Sequence, residues 1–489
     1  MLSLLFIIIP LLSAIIVLFA HDRWSVLVAR ASAWILAGLV IASRLTFVPG
    51  QEWQHVFRMP WLQKPEIQLY LGMDGISWLM LVLSTMATLA SVYMVKKHIV
   101  GRTDVFLAML LFLNAAMNGV FLSLDLIVYY IFWELSLIPA CVLLLRYGTG
   151  NTSGVTLKFF LYTLAGSLCM LVAILWLGIN GTADSFSFDK LSVLSLPVQA
   201  QTWIMVCFML AYAVKTPVFP FHTWQQNTYA ASPLALTILL SGVMLKMALY
   251  SIIRWLYPLT PDALLSGGQV FLWLSVAGVA YASFIAWRQD NVKKLFAWAS
   301  MAHVGMIAAG LMTVSVTGVK GALLQMTAHT INAIAMLFSI FLLTKWRGSD
   351  DISDFGGLRR SNPLLGGLLL WFVFSFISVP LTAGFPGELM LLVSLFSWNP
   401  WSAALAGTSV VLGAVYMVRT YQRLMLGMTP SSSGGAEQNV ISLSLSDKII
   451  LFTLAFLVFW VGVFPQTILN WVDDSVWHIF KSHIPTFQQ

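Results

Sequence analysis

The chain has 489 residues, of which 59% are hydrophobic and only 9% charged, and its mean hydropathy is +0.86. A water-soluble domain of this length needs far more polar surface, so composition excludes a soluble role and implies a polytopic membrane protein. The formal net charge of +7 raises nucleic acid as a partner, but the distribution of that charge excludes it, as follows from the order of the apolar runs.

Runs of about 20 apolar residues suit one bilayer crossing each. Fourteen are expected in an all-α architecture, at 2–20, 28–46, 76–95, 105–122, 124–145, 157–179, 202–221, 233–256, 269–287, 295–313, 317–344, 364–397, 402–424 and 448–469. The first, opening MLSLLFIIIP, has no basic segment before it and no small-residue cleavage site, so it reads as a retained helix rather than a signal peptide. The twelfth is too long for one simple crossing and carries Pro380 and Pro386, which predicts a broken helix. The longest polar connections fall at 47–75, 182–201, 345–362 and 425–447.

With these spans, the odd-numbered connections carry 17 Lys or Arg; the even-numbered connections and the C-terminal tail carry 7, Arg254 among them. The positive-inside rule then puts both termini outside. The basic balance is topology, so the lipid bilayer is the expected partner and nucleic acid is not. Cys141, Cys169 and Cys207 lie inside apolar runs without paired spacing, which argues against a disulfide framework or a metal cluster. The sequence has no glycine-rich phosphate loop, Cys-x-x-Cys or His-Glu-x-x-His. No metal or redox cofactor site is expected in this chain.

Two lysines, Lys215 and Lys246, belong to neither side of the membrane. With them come Glu134 in YYIFWELSLIPA and Glu388 in FPGELMLL, and His222, His303 and His329 within or at the ends of spans. An ionisable group near the bilayer centre is costly unless it faces protein or water, so these residues predict an internal polar path. The bland alternative is snorkelling or a static ion pair. Lys246 has apolar residues on both sides (LLSGVMLKMALYSII), which does not suit snorkelling.

Prolines sit beside these charges. In AVKTPVFPFHTW, Pro217 and Pro220 follow Lys215; in SVPLTAGFPGE, Pro380 and Pro386 precede Glu388. A helix broken in this way is tolerated in a membrane only where it lines a cavity or is covered by protein. The two breaks lie five runs apart. An odd offset makes the two segments cross in opposite senses, so spacing predicts two inverted five-helix repeats with the seventh and twelfth helices broken. The expected organisation is 1–104 for helices one to three, 105–256 for the first repeat, 257–424 for the second, and 425–489 for a flexible loop, the last helix and the tail. Burial opposes the charge of a lysine and a nearby carboxylate restores it, so such a pair can take up and release protons, with histidines bridging water chains. A proton or cation path is the expected chemistry.

At this point several motifs together resemble a known family. AVKTPVFPFHTW, SPLALTILLSGVMLKMALYSIIR, VKKLFAWASMAHVGM, GALLQMTAHTIN, IFWELSLIPA, KFFLYTLAGSL, FGGLRRSNP and FPGELMLL resemble the antiporter-like membrane subunits of respiratory complex I. The M-subunit branch, whose mitochondrial counterpart is NADH dehydrogenase subunit 4, is the nearest type, because its sister subunits tend to carry lysine where this chain has Glu388. The resemblance covers nearly the whole chain. It implies that Glu134 partners Lys215, that Lys246 joins two half-channels, that His303 and His329 are relays, and that Glu388 ends the second half-channel. It further implies a subunit of a proton-translocating NADH:quinone oxidoreductase, flanked by sister antiporter-like subunits. NADH, FMN, iron–sulfur clusters and quinone are then expected in partner subunits, and a bacterial inner membrane or, alternatively, a mitochondrial one as the location. Related modules in Mrp-type Na⁺/H⁺ exchangers and membrane-bound hydrogenases are the alternatives.

The chain departs from the family pattern after Lys215. Relatives commonly read H-x-W-L-P-D-A-H, whereas here Asn227 replaces the acid and Tyr229 the second histidine; Asn291 stands where an aspartate is usual, with Asp290 beside it as a candidate substitute. His222 is either a further relay or a hydrogen bonder at a helix end. TPSSSGGAEQ reads as a flexible loop, and WVDDSVWHIFKSHIP as an amphipathic interfacial helix outside the membrane.

Overall fold

A computed structural model describes residues 1–20, 22–48, 51–95, 101–180, 185–427 and 442–484; the expected loop at 429–438 lies outside them. Among the described residues, 13 helices are long and apolar enough to cross a membrane, from Leu2–Phe19 to Leu445–Val463. The twelfth apolar run is two shorter helices, Pro363–Phe376 and Gly384–Trp398. The protein is therefore a polytopic membrane protein. Its helices are unequal in environment. In the most apolar 18-residue stretch of Leu234–Leu259 and of Val316–Arg347 every residue is buried, whereas in Leu2–Phe19 and Leu445–Val463 only 33% and 28% of that stretch is. A helix enclosed by protein on every side can hold polar side chains without exposing them to hydrocarbon. The two enclosed helices carry Lys246 and His329.

The mostly helical chain carries one element the sequence reading did not expect, a β-hairpin. Within the connection 47–75, strands Gln54–Gln63 and Glu66–Met73 pair antiparallel, with Gln63 opposite Glu66 at the turn. Val56, Phe57, Trp61, Leu69 and Tyr70 are good strand formers, but the interspersed Gln63, Lys64, Glu66 and Gln68 gave the segment the polarity of a loop. The hairpin is anchored to the start of the fifth span, Leu126–Tyr147. Asp125 caps that helix through Ile127 N and Val128 N and also accepts from Gln68 N. Burial pushes its carboxyl up to about 6.

Arg254 adds to the charge reading. It lies inside the Leu234–Leu259 span, buried, with one guanidinium nitrogen 2.6 Å from Asp74 Oδ1 and its Nε donating to Tyr250 Oη at 3.0 Å. The sequence did not show this pairing, because Asp74, just before the Gly75–Val95 helix, and Arg254 come from separate elements and shield one another. Asn291 has a simpler outcome. Its side chain caps the Val292–Leu311 helix by accepting from Lys293 N and Lys294 N, while Asp290 pairs with Arg423 at 2.8 Å. Asn291 itself takes the capping position, and Asp290 is engaged elsewhere. The C-terminal segment forms a helix over Gln466–His483 that packs on Gly75–Val95, where Ser475 Oγ accepts from Gly75 N at 3.0 Å.

Candidate functional site

The helix Val198–Lys215 ends at Lys215, and the short helix Gln225–Ala231 follows after a turn. Pro217 has no N–H to give Ala213 O, and Val218 N reaches back to it instead at 2.9 Å. The indole of Trp224 donates to Val214 O at 2.8 Å, so the carbonyls freed at this point keep partners. A related arrangement closes Pro363–Phe376: Val379 N reaches Phe374 O at 3.0 Å ahead of Pro380. Asn332, on the long Val316–Arg347 helix, donates to Ser375 O and accepts from Ser375 Oγ. In both places a valine N–H five residues on completes the ladder beside a proline.

Lys215 is buried. Its Nζ donates to Ser136 Oγ at 3.2 Å and stands 4.9 Å from the centre of the Trp133 ring. Among the described residues Glu134 makes no direct ion pair with Lys215; it acts on the lysine through space, and its buried Oε1 has no hydrogen-bond partner. Ser136, which sequence reasoning passed over, is the direct contact. Its only signal was its place two residues after Glu134.

Lys246 is 1% exposed, on the enclosed central helix. A π-helical turn, Leu240–Met244, precedes it and widens the backbone, so that Nζ donates to Ser241 O at 2.6 Å. The same Nζ lies 2.6 Å from His329 Nδ1. When Lys246 is an ammonium it only donates, so Nδ1 accepts and the proton of the neutral imidazole sits on Nε2. Nε2 then donates to Ser300 Oγ at 3.0 Å, and Ser300 Oγ meets Ser241 Oγ at 3.2 Å. Lys246, His329, Ser300 and Ser241 form one closed network drawn from three helices. Neither serine was singled out from sequence.

The network continues toward the second proline break. The His303 ring lies 6.2 Å from that of His329 and 4.6 Å from that of Phe376, and its Nδ1 is 3.5 Å from Gln325 Nε2. Gln325 Oε1 is buried without a partner. Gly387 lets the Gly384–Trp398 helix approach here, since a Cβ at that position would stand 2.7 Å from Gln325 N. The next residue, Glu388, is buried and faces Ser378 and the buried Tyr416. Tyr416 was also missed, lying in a span that carries no charge at its centre.

His222 stands apart from this line. It sits among Phe219, Tyr281 and Trp298, with ring centres at 5.7, 5.3 and 5.5 Å, and its Nδ1 has no hydrogen-bond partner. The structure therefore brings Lys246, His329 and His303 together, places Lys215 with Ser136 and Glu134 at one break and Glu388 at the other, and leaves His222 in an aromatic box. Among the described residues, no three His, Cys, Asp or Glu are grouped to hold a metal.

The profile of the family described as NADH:quinone oxidoreductase/Mrp antiporter, TM, matches residues 123–413, more than half of the chain. The chain belongs to that family. Among its curated relatives, NADH-quinone oxidoreductase subunit M of Rickettsia prowazekii is 30% identical over 464 residues, covering 93% of this chain and 92% of the relative. The protein of the same name from Pseudomonas aeruginosa is 31% identical over 463 residues, covering 92% and 90%. Among solved structures, a chain of respiratory complex I from Thermus thermophilus superposes with a TM-score of 0.89 at 26% identity, over 99% of each chain. A chain of the Mrp complex from Dietzia sp. DQ12-45-1b reaches 0.82 at 19% identity, covering 100% of this chain and 98% of its own, which speaks to the fold alone. The family match spans both proline breaks and all of Glu134, Lys215, Lys246, His303, His329 and Glu388.

Proposed function

We infer that this chain is the proton-translocating M-type membrane subunit of an NADH:quinone oxidoreductase. The single observation that carries the path is the buried chain Lys246–His329–Ser300–Ser241, in which every link lies at hydrogen-bond distance inside the membrane span. A proton hop needs donor and acceptor at that range. Glu134, Lys215 and Ser136 form one arm, and His303, Gln325 and Glu388 form the other. The matching valine bonds at Ala213 and Phe374 support reading the two proline breaks as equivalent points in inverted repeats, 105–256 and 257–424. The chain itself carries no redox centre in this reading. NADH oxidation on FMN, electron passage through iron–sulfur clusters and quinone reduction occur in partner subunits, with sister antiporter-like subunits on either side. The location is a bacterial inner membrane with both termini on the periplasmic side.

Two measurements test the reading. The detergent-purified assembly should contain flavin and iron–sulfur subunits; small hydrophobic antiporter subunits in their place would assign it to an Mrp-type exchanger. Glu134→Gln keeps shape and removes the charge that acts on Lys215. It should abolish proton pumping and, through coupling, quinone reduction, while the complex still assembles. Normal pumping in that assembled variant would overturn the assignment.

A further inference from the structure

The helix Asp22–Leu45 carries two arginines, Arg23 and Arg30, that the path above does not use. Arg23, Leu27, Arg30, Trp34 and Ile41 follow one another at helical spacing and so share one face. Leu27, Trp34 and Ile41 are each more than half exposed on that face. At its start, Arg23, Trp24, Val26, Leu27 and Arg30 line a groove of about 380 Å³. The groove lies at the first connection, on the side that the charge asymmetry makes cytoplasmic.

Neither arginine has an acidic partner among the described side chains, whereas Arg58, Arg102 and Arg423 pair with Asp189, Asp104 and Asp290. Arg30 instead lays its guanidinium over the Tyr93 ring, 4.5 Å from the centre, and Tyr93 Oη accepts from Trp34 Nε1 at 3.1 Å. This leaves Arg30 Nε buried without a hydrogen-bond partner. A guanidinium with an orphaned donor and no carboxylate is a place for an anion. Arg30 sits two turns, ~10 Å, deeper than Arg23. Helical side chains lean toward the N-terminus, so Arg30 reaches back toward Arg23 and the headgroup region. The face below it is apolar, with Trp34 and then Ile41 exposed.

We propose that the groove between Arg23 and Arg30 holds the phosphate of an anionic phospholipid of the cytoplasmic leaflet, with an acyl chain laid along Leu27, Trp34 and Ile41. Cation above and apolar surface below is the order in which a lipid presents phosphate and chain. Two uncompensated guanidinium groups favour a headgroup with net negative charge over a zwitterionic one, which brings a cation of its own. The ring of Trp24, exposed beside the groove, sits at headgroup level, where an indole is at home. A neighbouring transmembrane chain would have to carry its own anion to the depth of Arg30, which is costly in hydrocarbon. A lipid phosphate is already at that boundary.

The test uses the assembled complex, in two parts. Reconstituted in nanodiscs of equimolar phosphatidylcholine and phosphatidylglycerol, the unmodified complex should show by electron cryomicroscopy a phospholipid whose phosphate lies at hydrogen-bond distance from the Arg30 guanidinium. A side chain of a neighbouring subunit filling the groove, or no ordered lipid in it, overturns the proposal without any variant. The second part weighs the charge. In detergent, the complex is stripped of loosely held lipid and titrated with phosphatidylglycerol or phosphatidylcholine, and bound lipid is counted by native mass spectrometry. Arg23→Gln combined with Arg30→Gln should weaken one phosphatidylglycerol site by about 30-fold, the scale of two basic residues at an anionic surface. Unchanged phosphatidylglycerol binding in that double variant overturns the proposal, and so does a parent that takes phosphatidylcholine as tightly as phosphatidylglycerol.

Discussion

Replacing Lys246 with methionine separates a working proton carrier from a structural anchor. Methionine keeps the length and roughly the volume of the side chain but cannot hold a proton. The loss comprises two short contacts, to Ser241 O and His329 Nδ1, each 2.6 Å, and bonds from a charged donor are worth about 1.5–3 kcal/mol each. Against this stands the penalty of burying an ammonium that is 1% exposed, several kcal/mol in a protein interior. The terms nearly cancel, so the variant complex should melt at or above the parental temperature. Turnover behaves differently. With no acid–base group in place, proton translocation should fall by about 100-fold or more, the scale of a positioned proton-transfer group. Lys246→Ala is the informative companion, since truncation opens room for one or two waters at about 30 Å³ each, which can bridge Ser241 and His329 and restore a fraction of the rate. The assay is dye-monitored proton uptake in proteoliposomes beside NADH:quinone turnover, with thermal unfolding of the same preparations. A methionine variant that pumps like the parent, or one whose activity falls only as its assembly falls, would refute the reasoning.

Three further outcomes are expected. Asp74→Asn strands the buried Arg254 guanidinium and should cost about 3–5 kcal/mol, read as a lower melting temperature; adding Arg254→Met should recover part of it, and an unshifted single variant would show that the pair anchors nothing. Pro217→Ala restores an N–H that competes with Val218 for Ala213 O, so activity should fall more than assembly does, and equal losses would contradict a local role for the break. Burial raises the Asp125 carboxyl from 3.8 to about 6, so its favourable contribution is complete below the unfolded value and is lost as pH rises through about 6. Asp125→Asn should therefore gain stability relative to the parent across that window in thermal unfolding, and a pH-independent difference would sink this.

Much of this was legible because membranes make charge conspicuous. Lys246 stood out against its apolar neighbours, and the prolines beside Lys215 and Glu388 marked where helices stop. What stayed hidden shares a single cause. Ser136, Ser241, Ser300 and Tyr416 are small or neutral polar residues, common in any transmembrane helix, and only three-dimensional proximity to a charge distinguishes them. Arg254 and Asp74 were hidden because they neutralise each other across separate elements, so each read as a residue of an outer connection. The hairpin was lost to its own polar residues. The π-helical turn at Leu240–Met244 left no mark in apolar periodicity, since every face of that helix is buried.

The separation of Glu134 from Lys215 follows from the same geometry and bears on how the proposed path would work. A contact ion pair in a low-dielectric interior holds its charge strongly, and a lysine bound that way would surrender its proton only at high cost. Here the direct partner is Ser136 Oγ, a neutral group at 3.2 Å, and the carboxylate acts from beyond contact range. A field of that kind biases the lysine without locking it, and a change in any neighbouring charge can tip the balance. Lys246 is held by the same logic, between a carbonyl and a neutral imidazole rather than a carboxylate. Both lysines are thus bonded to groups that steady the ammonium and tolerate its loss, which is what a carrier needs and what a static ion pair lacks.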